Sequence, residues 1–318
     1  MKAFFIITQT NEMHKHVESF TCLNSNEVDI YMFNHRHGPP NPEVMDSQIY
    51  AQAKFFSPDL IVYIGGCNGN MPTPGGFRKL RQEIAPTVAF ISDAADQPWW
   101  PKVEEFDKEE SFSAQVALDG PSEWPKHETH ITALTPLDPR HFLHPPKPHS
   151  ERSIVFGFAG NPKGRALIDG KPCGRDMFVP ELERFGLVIR TRPSEIGDIK
   201  EDAKSYIGAA QFMCDTRITP NFAFTGSFRR RHVKGRVVEA GWAASLLLEF
   251  ADSPTKQVFV PGEDYLEFET PADAKTIIKE YSDKPDKTEE FGLRLRKKVE
   301  ENHSPQKFWS RIFEKIGL

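Results

Sequence analysis

The chain is organised around residues 233–249, whose sequence is VKGRVVEAGWAASLLLE. The stretch predicts a short helix, a turn of small residues and a buried strand, because charged residues come first and an unbroken apolar run comes last. Glu239 follows Arg236 by three residues, so a helix places the two side chains on neighbouring faces. Cations bind phosphates, and a carboxylate can accept hydrogen bonds from two ribose hydroxyls. The stretch therefore indicates a binding site at the head of an apolar helix–strand unit.

The stretch contains the order Lys-Gly-Arg-Val-Val-Glu-Ala, followed by Leu-Leu-Leu-Glu. This order resembles the donor-site segment of GT-B glycosyltransferases, in particular that of the spore-maturation-protein-like (CgeB-type) branch. In that family the glutamate binds the ribose of a nucleotide-sugar, and basic residues lie near the diphosphate. The resemblance implies that Glu239 binds the ribose and that Lys234 and Arg236 face the phosphates. It is specific between residues 233 and 268 and diffuse over residues 1–150.

One position departs from the wider superfamily. Retaining enzymes often carry a second glutamate eight positions earlier, and that position is Arg231 in this chain. The resemblance therefore leaves the contact with the donor sugar and the stereochemical outcome open. Arg231 belongs to a run of four basic residues, 229–232, which we interpret either as a solvated face or as an attraction for an anionic donor.

Length and composition bound the class of protein. With 318 residues the chain can form two domains with well-buried cores. A formal net charge of -5 argues against a general nucleic-acid binder. The four cysteines lack CxxC spacing, so we expect buried thiols in a reducing compartment. No apolar run approaches the roughly 20 residues that cross a bilayer, and we expect a cytoplasmic protein without a membrane span.

Apolar runs of strand length alternate with helical segments in both halves, which predicts an α/β fold with parallel sheets. The proline- and histidine-rich segment 136–150 predicts an extended linker that cannot form a core. Together with the GT-B resemblance, this implies two Rossmann-like, doubly wound domains that face a cleft. We expect residues 1–150 on the acceptor side and residues 151–303 on the donor side. Residues 304–318 carry an apolar stripe and should form a helix that crosses back to the first domain.

The second domain restarts the pattern with a strand over residues 153–159 and a glycine loop that holds Gly160 and Lys163. Such a loop suits a diphosphate, and in the resembling family its glycine lies close to the donor. No Walker sequence or GxGxxG order accompanies it, which argues against an NTPase and a dinucleotide dehydrogenase. Further along, the sequence predicts a short helix (203–209), a strand (211–215) and a short strand (257–260).

Two residues of the first domain are candidates for a general base. Asp93 follows a predicted strand over residues 87–91 and precedes two tryptophans, whose faces can stack on sugar rings. His14 lies in the loop after the first strand, which faces the cleft in GT-B proteins. The alternatives are a turn or helix-cap aspartate and a solvated loop histidine.

The predicted function is a nucleotide-sugar-dependent glycosyltransferase of the hexosyltransferase type, with a UDP- or GDP-sugar as donor and a hydroxyl group as acceptor. Lys234 and Arg236 would offset the charge on the departing diphosphate, so we expect neither a cofactor nor a metal. The acceptor stays open between a glycan, a protein, a small molecule and modified DNA. Two alternatives remain: a catalytically silent nucleotide-sugar-binding protein and a sugar-nucleotide epimerase on the same fold.

Overall fold

The computed structural model describes residues 1–8, 14–23, 26–33, 41–66, 70–121, 123–160, 167–168, 171–172, 175–183, 186–190, 199–224 and 230–318. Within these ranges, no helix combines the length and the apolar character that crossing a membrane requires.

The first half of the chain alternates strands with helices. Its elements are β1 (Lys2–Thr8), α1 (His14–Thr21), β2 (Glu27–Phe33), α2 (Pro42–Phe56), β3 (Leu60–Ile64), α3 (Pro74–Glu83), β4 (Thr87–Ile91), α4 (Trp100–Lys108), β5 (Ala114–Ala117) and β6 (His130–Thr132). The strands form a parallel sheet in the order β2-β1-β3-β4-β5-β6. Every residue of β3 and β4 is buried, as expected for apolar strands that helices cover on both faces.

The second half repeats this architecture. Its elements are β7 (Ile154–Gly160), β8 (Leu167–Ile168), β9 (Lys171–Pro172), α5 (Arg175–Leu182), β10 (Leu187–Arg190), α6 (Ile199–Cys214), β11 (Thr216–Asn221), α7 (Gly235–Trp242), β12 (Leu246–Phe250), β13 (Tyr265–Phe268), α8 (Pro271–Ser282), α9 (Pro285–Asn302) and α10 (Pro305–Ile316). A second parallel sheet has the order β10-β7-β11-β12-β13, and β8 pairs with β9. The predicted fold of two doubly wound α/β units is confirmed.

The organising stretch folds as its pattern predicts. α7 is followed by a two-residue turn, in which Ala244 has a φ of 50°, and then by β12, whose five residues are all buried. Gly241 allows α7 to approach α9 closely, since a Cβ atom at this position would lie 2.6 Å from Cγ2 of Val299. α7 and β12 therefore pack as one unit in the hydrophobic core of the second domain.

Two predictions of secondary structure in the second half are wrong. Residues 211–214 continue α6, and the strand begins only at Thr216 as β11. The apolar run of Phe212, Met213 and Cys214 is buried on a helix face, which a short run cannot distinguish from a strand. Pro220 lies near the end of β11 in register with Leu248. The predicted strand over 257–260 is replaced by a short 3-10 helix at Pro254–Gln257, and β13 follows it.

The prediction that segment 136–150 makes no core contacts is also wrong. Leu137 and Phe142 are buried in the core of the second domain. The ring of His149 is fully buried, with Nε2 2.7 Å from the carbonyl oxygen of Ala244 and Nδ1 2.7 Å from Oγ1 of Thr288. Burial lowers the pKa of His149 to about 3, and the charge of Arg152 adds to the effect. Prolines keep the segment extended, but its apolar and polar side chains dock on the second domain.

The last helix packs on the first domain. Phe308, Trp309 and Ile312 of α10 are buried in the core that includes Phe5 and Phe90. Trp309 also donates a hydrogen bond from Nε1 to Oγ of Ser19 at 3.2 Å. Burying one such side chain contributes about 1.5–3 kcal/mol. The chain thus ends on the domain in which it began.

Candidate functional site

The strand order of both sheets indicates a ligand site at the carboxyl ends of the strands. In each sheet the first strand along the chain lies between the second and the third, which creates a switch point in the connections. Open α/β sheets bind ligands beyond the carboxyl ends of the strands at such points. These points lie between β1 and β3 in the first sheet and between β7 and β11 in the second.

The amino end of α7 lies against the carboxyl end of β7. Arg236 makes the contact, because its Nη2 donates to the carbonyl oxygen of Ala159 at 2.5 Å. Gly160, the last residue of β7, is adjacent, since a Cβ atom there would lie 3.7 Å from Nη2 of Arg236. The fold therefore brings two of the predicted donor-binding residues together at the switch point of the second sheet.

Glu239 lies one helical turn along α7 from Arg236, as the spacing predicts. Nε of Arg236 is 3.3 Å from Oε2 of Glu239. The two side chains remain 20% and 14% exposed, so a ligand can reach both. A carboxylate held by a neighbouring guanidinium is a suitable acceptor for hydroxyl hydrogen bonds.

Positive charge collects at the amino end of α7. Lys234 is the N-cap residue, and the N–H groups of the first turn have no carbonyl partner within the helix. Lys15 of the first domain approaches from the other side, because a Cβ atom on Gly235 would lie 3.7 Å from its Nζ. Two ammonium groups at a helix N-terminus attract an anion such as a diphosphate. The sequence analysis did not identify Lys15.

Asp93 of the first domain contacts Lys234 of the second domain. Nζ of Lys234 is 3.1 Å from Oδ1 of Asp93, and both side chains are about one third exposed. Asp93 has a φ of 52°, a left-handed conformation that is uncommon outside glycine. Its backbone N–H donates to Oδ1 of Asp119 at 3.1 Å, which holds the turn in place. The fold thus joins the predicted base and a predicted phosphate ligand across the junction between the domains.

A buried histidine lies between Asp93 and Asp119. Nε2 of His232 is 3.3 Å from Oδ1 of Asp93, and its Nδ1 is 3.1 Å from Oδ2 of Asp119. These are ion-pair distances without the alignment of a hydrogen bond. His232 and Asp119 are 2% and 4% exposed, and the N–H of Val233 donates to the carbonyl oxygen of Asp119 at 3.0 Å. The segment before α7 is therefore docked on the first domain.

Sequence reasoning missed Asp119 and His232 as site residues. Asp119 follows β5 as Asp93 follows β4, and parallel neighbours end at one edge of a sheet. That rule could have identified Asp119. His232 was read as part of a basic run, and its position depends on a contact between residues 113 positions apart.

The ligand atoms of Asp93, Asp119 and His232 lie within 4.8 Å of one another, which would suit a metal ion. However, the ammonium group of Lys234 is already 3.1 Å from Asp93. A divalent cation in the same place would face this positive charge at short range. The arrangement fits a network balanced by a protein cation better than it fits a metal centre.

Arg231, another predicted site residue, is not part of this contact. Arg231 forms an ion pair with Asp252, with Nη1 2.6 Å from Oδ2, and its guanidinium lies over the ring of Phe250. His14 begins α1, but its side chain lies outside the described residues, as does the whole of Lys163. His16, two residues further into α1, is buried, and burial together with Lys15 lowers its pKa well below the usual value.

A second buried carboxyl group lies at the carboxyl end of β12. Oε2 of Glu249 accepts hydrogen bonds from Asn221 at 2.8 Å and from Thr255 at 3.3 Å, while Oε1 has no hydrogen-bond partner. Burial raises the pKa of Glu249 to about 7, against the lowering effect of these hydrogen bonds. The group is completely buried, so its role is in the fold of the donor domain rather than in ligand contact.

Two facing doubly wound domains, with a final helix returned to the first, define the GT-B architecture of glycosyltransferases. HepE from Anabaena, solved with UDP-glucose, is 12% identical, with coverage of 100% and 99% of the two chains and a TM-score of 0.62. Sucrose-phosphate synthase from Thermosynechococcus elongatus is 9% identical, the match covers 100% of this chain and 98% of the synthase chain, and the TM-score is 0.58. A glycosyltransferase from Rickettsia africae is 10% identical, the match covers 99% of this chain and 97% of the other, and the TM-score is again 0.58.

Sequence comparison adds one match. Residues 198–314 match a family described as glycosyl transferase-like. The matched region contains α7 and β12, so it includes Lys234, Arg236 and Glu239. None of the curated proteins matches the chain.

Proposed function

We propose that this protein is a glycosyltransferase that moves a sugar from a nucleoside-diphosphate-sugar to a hydroxyl acceptor. The observation that carries the proposal is the 3.1 Å contact between Lys234, at the amino end of α7, and Asp93, beyond β4. It sets a cationic phosphate site of one domain beside a candidate base of the other. Transfer between two substrates requires such proximity of the groups that act on each.

On the donor side, the helix N-terminus with Lys234, Arg236 and Lys15 would bind the diphosphate. Negative charge grows on this leaving group as its bond to the sugar breaks, and prepositioned cations stabilise that charge. Glu239 would accept hydrogen bonds from the ribose hydroxyls. In this proposal the protein cations perform the electrostatic role, and the reaction uses no metal and no other cofactor.

On the acceptor side, Asp93 would accept the proton of the attacking hydroxyl, with His14 as the second candidate. The hydrogen bond from the N–H of Asp93 to Asp119 fixes the position of the carboxylate. His232, buried behind it, supports that position from the donor domain. The base would thus be held by residues of both domains.

The proposed donor is a UDP-hexose, and the proposed branch is the spore-maturation-protein-like one. Structural similarity to HepE, which was solved with UDP-glucose, supports the donor. The order of residues in the α7 segment supports the branch. The acceptor class stays open.

A silent nucleotide-sugar-binding protein is the second candidate. The position that is often glutamate in retaining enzymes is Arg231 here, and it pairs with Asp252 instead of facing the donor segment. Such a protein would bind the donor without cleaving it. An epimerase would convert the donor sugar without an acceptor, so its product distinguishes it.

The test is a thermal-shift panel with UDP-, GDP-, dTDP-, CDP- and ADP-sugars, followed by product analysis after incubation. A ligand that binds only the folded state raises the melting temperature. We expect a selective shift with UDP-sugars and slow release of UDP. Glu239→Ala should weaken donor binding by roughly 10- to 150-fold, since a hydrogen bond to a charged group contributes about 1.5–3 kcal/mol. Glu301→Ala, an exposed glutamate on α9, is the control.

Each other outcome has a defined meaning. No shift with any donor, or an equal shift in the Glu239→Ala variant, would contradict the donor site. A shift without cleavage at any acceptor concentration would favour the silent binder. A changed sugar on an intact nucleotide would favour the epimerase. Transfer that persists unchanged in Asp93→Asn would exclude Asp93 as the base.

A further inference from the structure

Two histidines and an aspartate cluster in the first domain, away from the junction. Asp107 lies in the last turn of α4, His127 precedes β6, and His130 is its first residue. Gln115 of β5 is in register with His130, so the cluster lies near the amino ends of these strands. Asp93 and Asp119 follow the carboxyl ends of β4 and β5. The cluster is therefore separate from the proposed active site, and the proposed function does not use it.

The spacing of the three side chains fits a transition-metal ion. Nε2 of His130 is 2.9 Å from Oδ2 of Asp107, and Nδ1 of His127 is 3.6 Å from Oδ1. All three ligand atoms lie within 4.8 Å of one another. Ligand atoms around a tetrahedral zinc ion are about 3.3–3.4 Å apart, given bonds of about 2.0–2.1 Å. Small rotations of the side chains would bring the set to that geometry.

The tautomer of His130 is set by its other ring nitrogen. Nδ1 is 2.7 Å from the carbonyl oxygen of Pro125, which can only accept, so Nδ1 carries the hydrogen. In the neutral ring Nε2 then presents its lone pair to the Asp107 carboxylate. The 2.9 Å contact between them then contains a cation, either a proton on Nε2 or a metal ion in its place. Histidine ligands of metals characteristically donate their second N–H to a carbonyl or carboxylate in this way.

Neighbouring groups hold the other ligands in place. Trp124 stacks on the ring of His130, with centroids 4.3 Å apart and an interplanar angle of 15°. Nε2 of Gln115 donates to Oδ1 of Asp107 at 2.8 Å. Such support of ligand side chains by a second layer of contacts is typical of built metal sites.

His127 leaves one side of the cluster open. Its Nδ1 lies 2.9 Å from Oγ1 of Thr129 and 3.4 Å from the backbone nitrogen of the same residue, and in the tautomer that leaves Nδ1 without a hydrogen this atom can bind a metal ion. The side chain is 41% exposed, which leaves room for water in a fourth position. Two imidazoles and one carboxylate suit Zn²⁺, whereas Mg²⁺ and Ca²⁺ take oxygen ligands.

We propose that Asp107, His127 and His130 bind Zn²⁺, with a water molecule as the fourth ligand. The ion joins the loop before β6 to the end of α4. The same loop region carries Glu123, which forms an ion pair with Arg230 of the second domain. The metal would therefore stabilise a segment that contacts the donor domain.

The test uses the full chain, freed of any histidine tag and dialysed against EDTA. Titration with ZnCl₂ should show saturable binding by calorimetry and a rise in melting temperature that grows with zinc concentration. MgCl₂ should give no rise. His127→Ala, which removes an exposed side chain and should fold normally, is expected to weaken zinc binding by at least about tenfold. Asp107→Asn should weaken it similarly, and Glu128→Gln, an exposed neighbour outside the cluster, should not.

Three results would overturn the proposal. The first is the absence of saturable zinc binding to the native protein. The second is a loss of zinc affinity in Glu128→Gln that equals the loss in His127→Ala, which would place zinc binding on the exposed loop. The third is binding that survives His127→Ala and disappears in Asp93→Asn, which would place zinc at the junction between the domains.

Discussion

Two clusters of histidine and aspartate in this protein have similar spacing and different surroundings. At the junction, His232 lies between Asp93 and Asp119, and Nζ of Lys234 is 3.1 Å from Asp93. In the first domain, Asp107 lies between His127 and His130, and its further contacts are with the neutral side chains of Gln115 and Thr129.

The comparison shows that a cluster of ligands does not by itself define a metal site. Both sets place three ligand atoms within 4.8 Å of one another. The lysine at the junction supplies a positive charge where a metal ion would bind, whereas the further contacts of Asp107 in the other cluster are with the neutral groups of Gln115 and Thr129. The presence or absence of a neighbouring lysine therefore distinguishes the proposed catalytic network from the proposed zinc site.

The largest expected effect on the reaction comes from removing that lysine. Lys234→Met should lower the transfer rate by about 100-fold or more, because one prepositioned charge contributes about 2.7–4 kcal/mol to the stabilisation of a developing anion. The same substitution should create zinc binding at Asp93, Asp119 and His232. Kinetics with a UDP-sugar and calorimetry with ZnCl₂ measure the two effects.

Lys234→Arg is the matched control for this prediction. It retains a cation beside Asp93, so it should exclude zinc from the junction even if its rate is reduced. Zinc binding at the junction of the native protein, or none in Lys234→Met, would contradict the explanation by charge.

The second prediction compares one histidine from each cluster. His232→Ala should lower the free energy of unfolding by about 3–5 kcal/mol, because it removes the buried imidazole beside Oδ2 of the buried Asp119 and leaves that oxygen unpaired. His127→Ala, without zinc, should change it by less than about 0.5 kcal/mol, because the side chain is largely exposed. Urea denaturation in EDTA measures both changes. Similar losses in the two variants would show that the clusters are energetically alike.

The third and smallest effect is on the pH dependence of stability, and it comes from Glu249, whose hydrogen-bond partners are neutral. The pKa of Glu249 is raised from 4.5 to about 7, mainly by burial. The folded state thus binds this proton more tightly, so the stability it contributes is full below pH 4.5 and is lost as pH rises through about 7. The loss is on the order of 1–3 kcal/mol.

Glu249→Gln should abolish this part of the pH dependence. Urea denaturation between pH 4.5 and 8 should show native stability falling relative to the variant as the pH rises. An unchanged difference across this range would mean that Glu249 does not titrate there.

Local patterns were sufficient for much of the fold. The α7–β12 unit and β4 follow from apolar runs and from charge at a helix start, which depend on residues close in sequence. The start of α8 is equally local, since Thr270 and Asp273 form the capping box that their spacing indicates. α6 and β11 were misplaced because a short apolar run can be buried in a helix or in a strand.

The sequence alone supplied the donor-side candidates, Lys234, Arg236 and Glu239, because their order resembles the donor-site segment of GT-B glycosyltransferases and they lie close together in the sequence. Only the tertiary structure decided that Asp93 lies beside Lys234, that Asp119 and His232 complete this contact, and that Lys15 approaches the same helix end. The physical reason is distance along the chain. These contacts join residues of different domains, and they form only when both sheets have folded and their carboxyl ends meet.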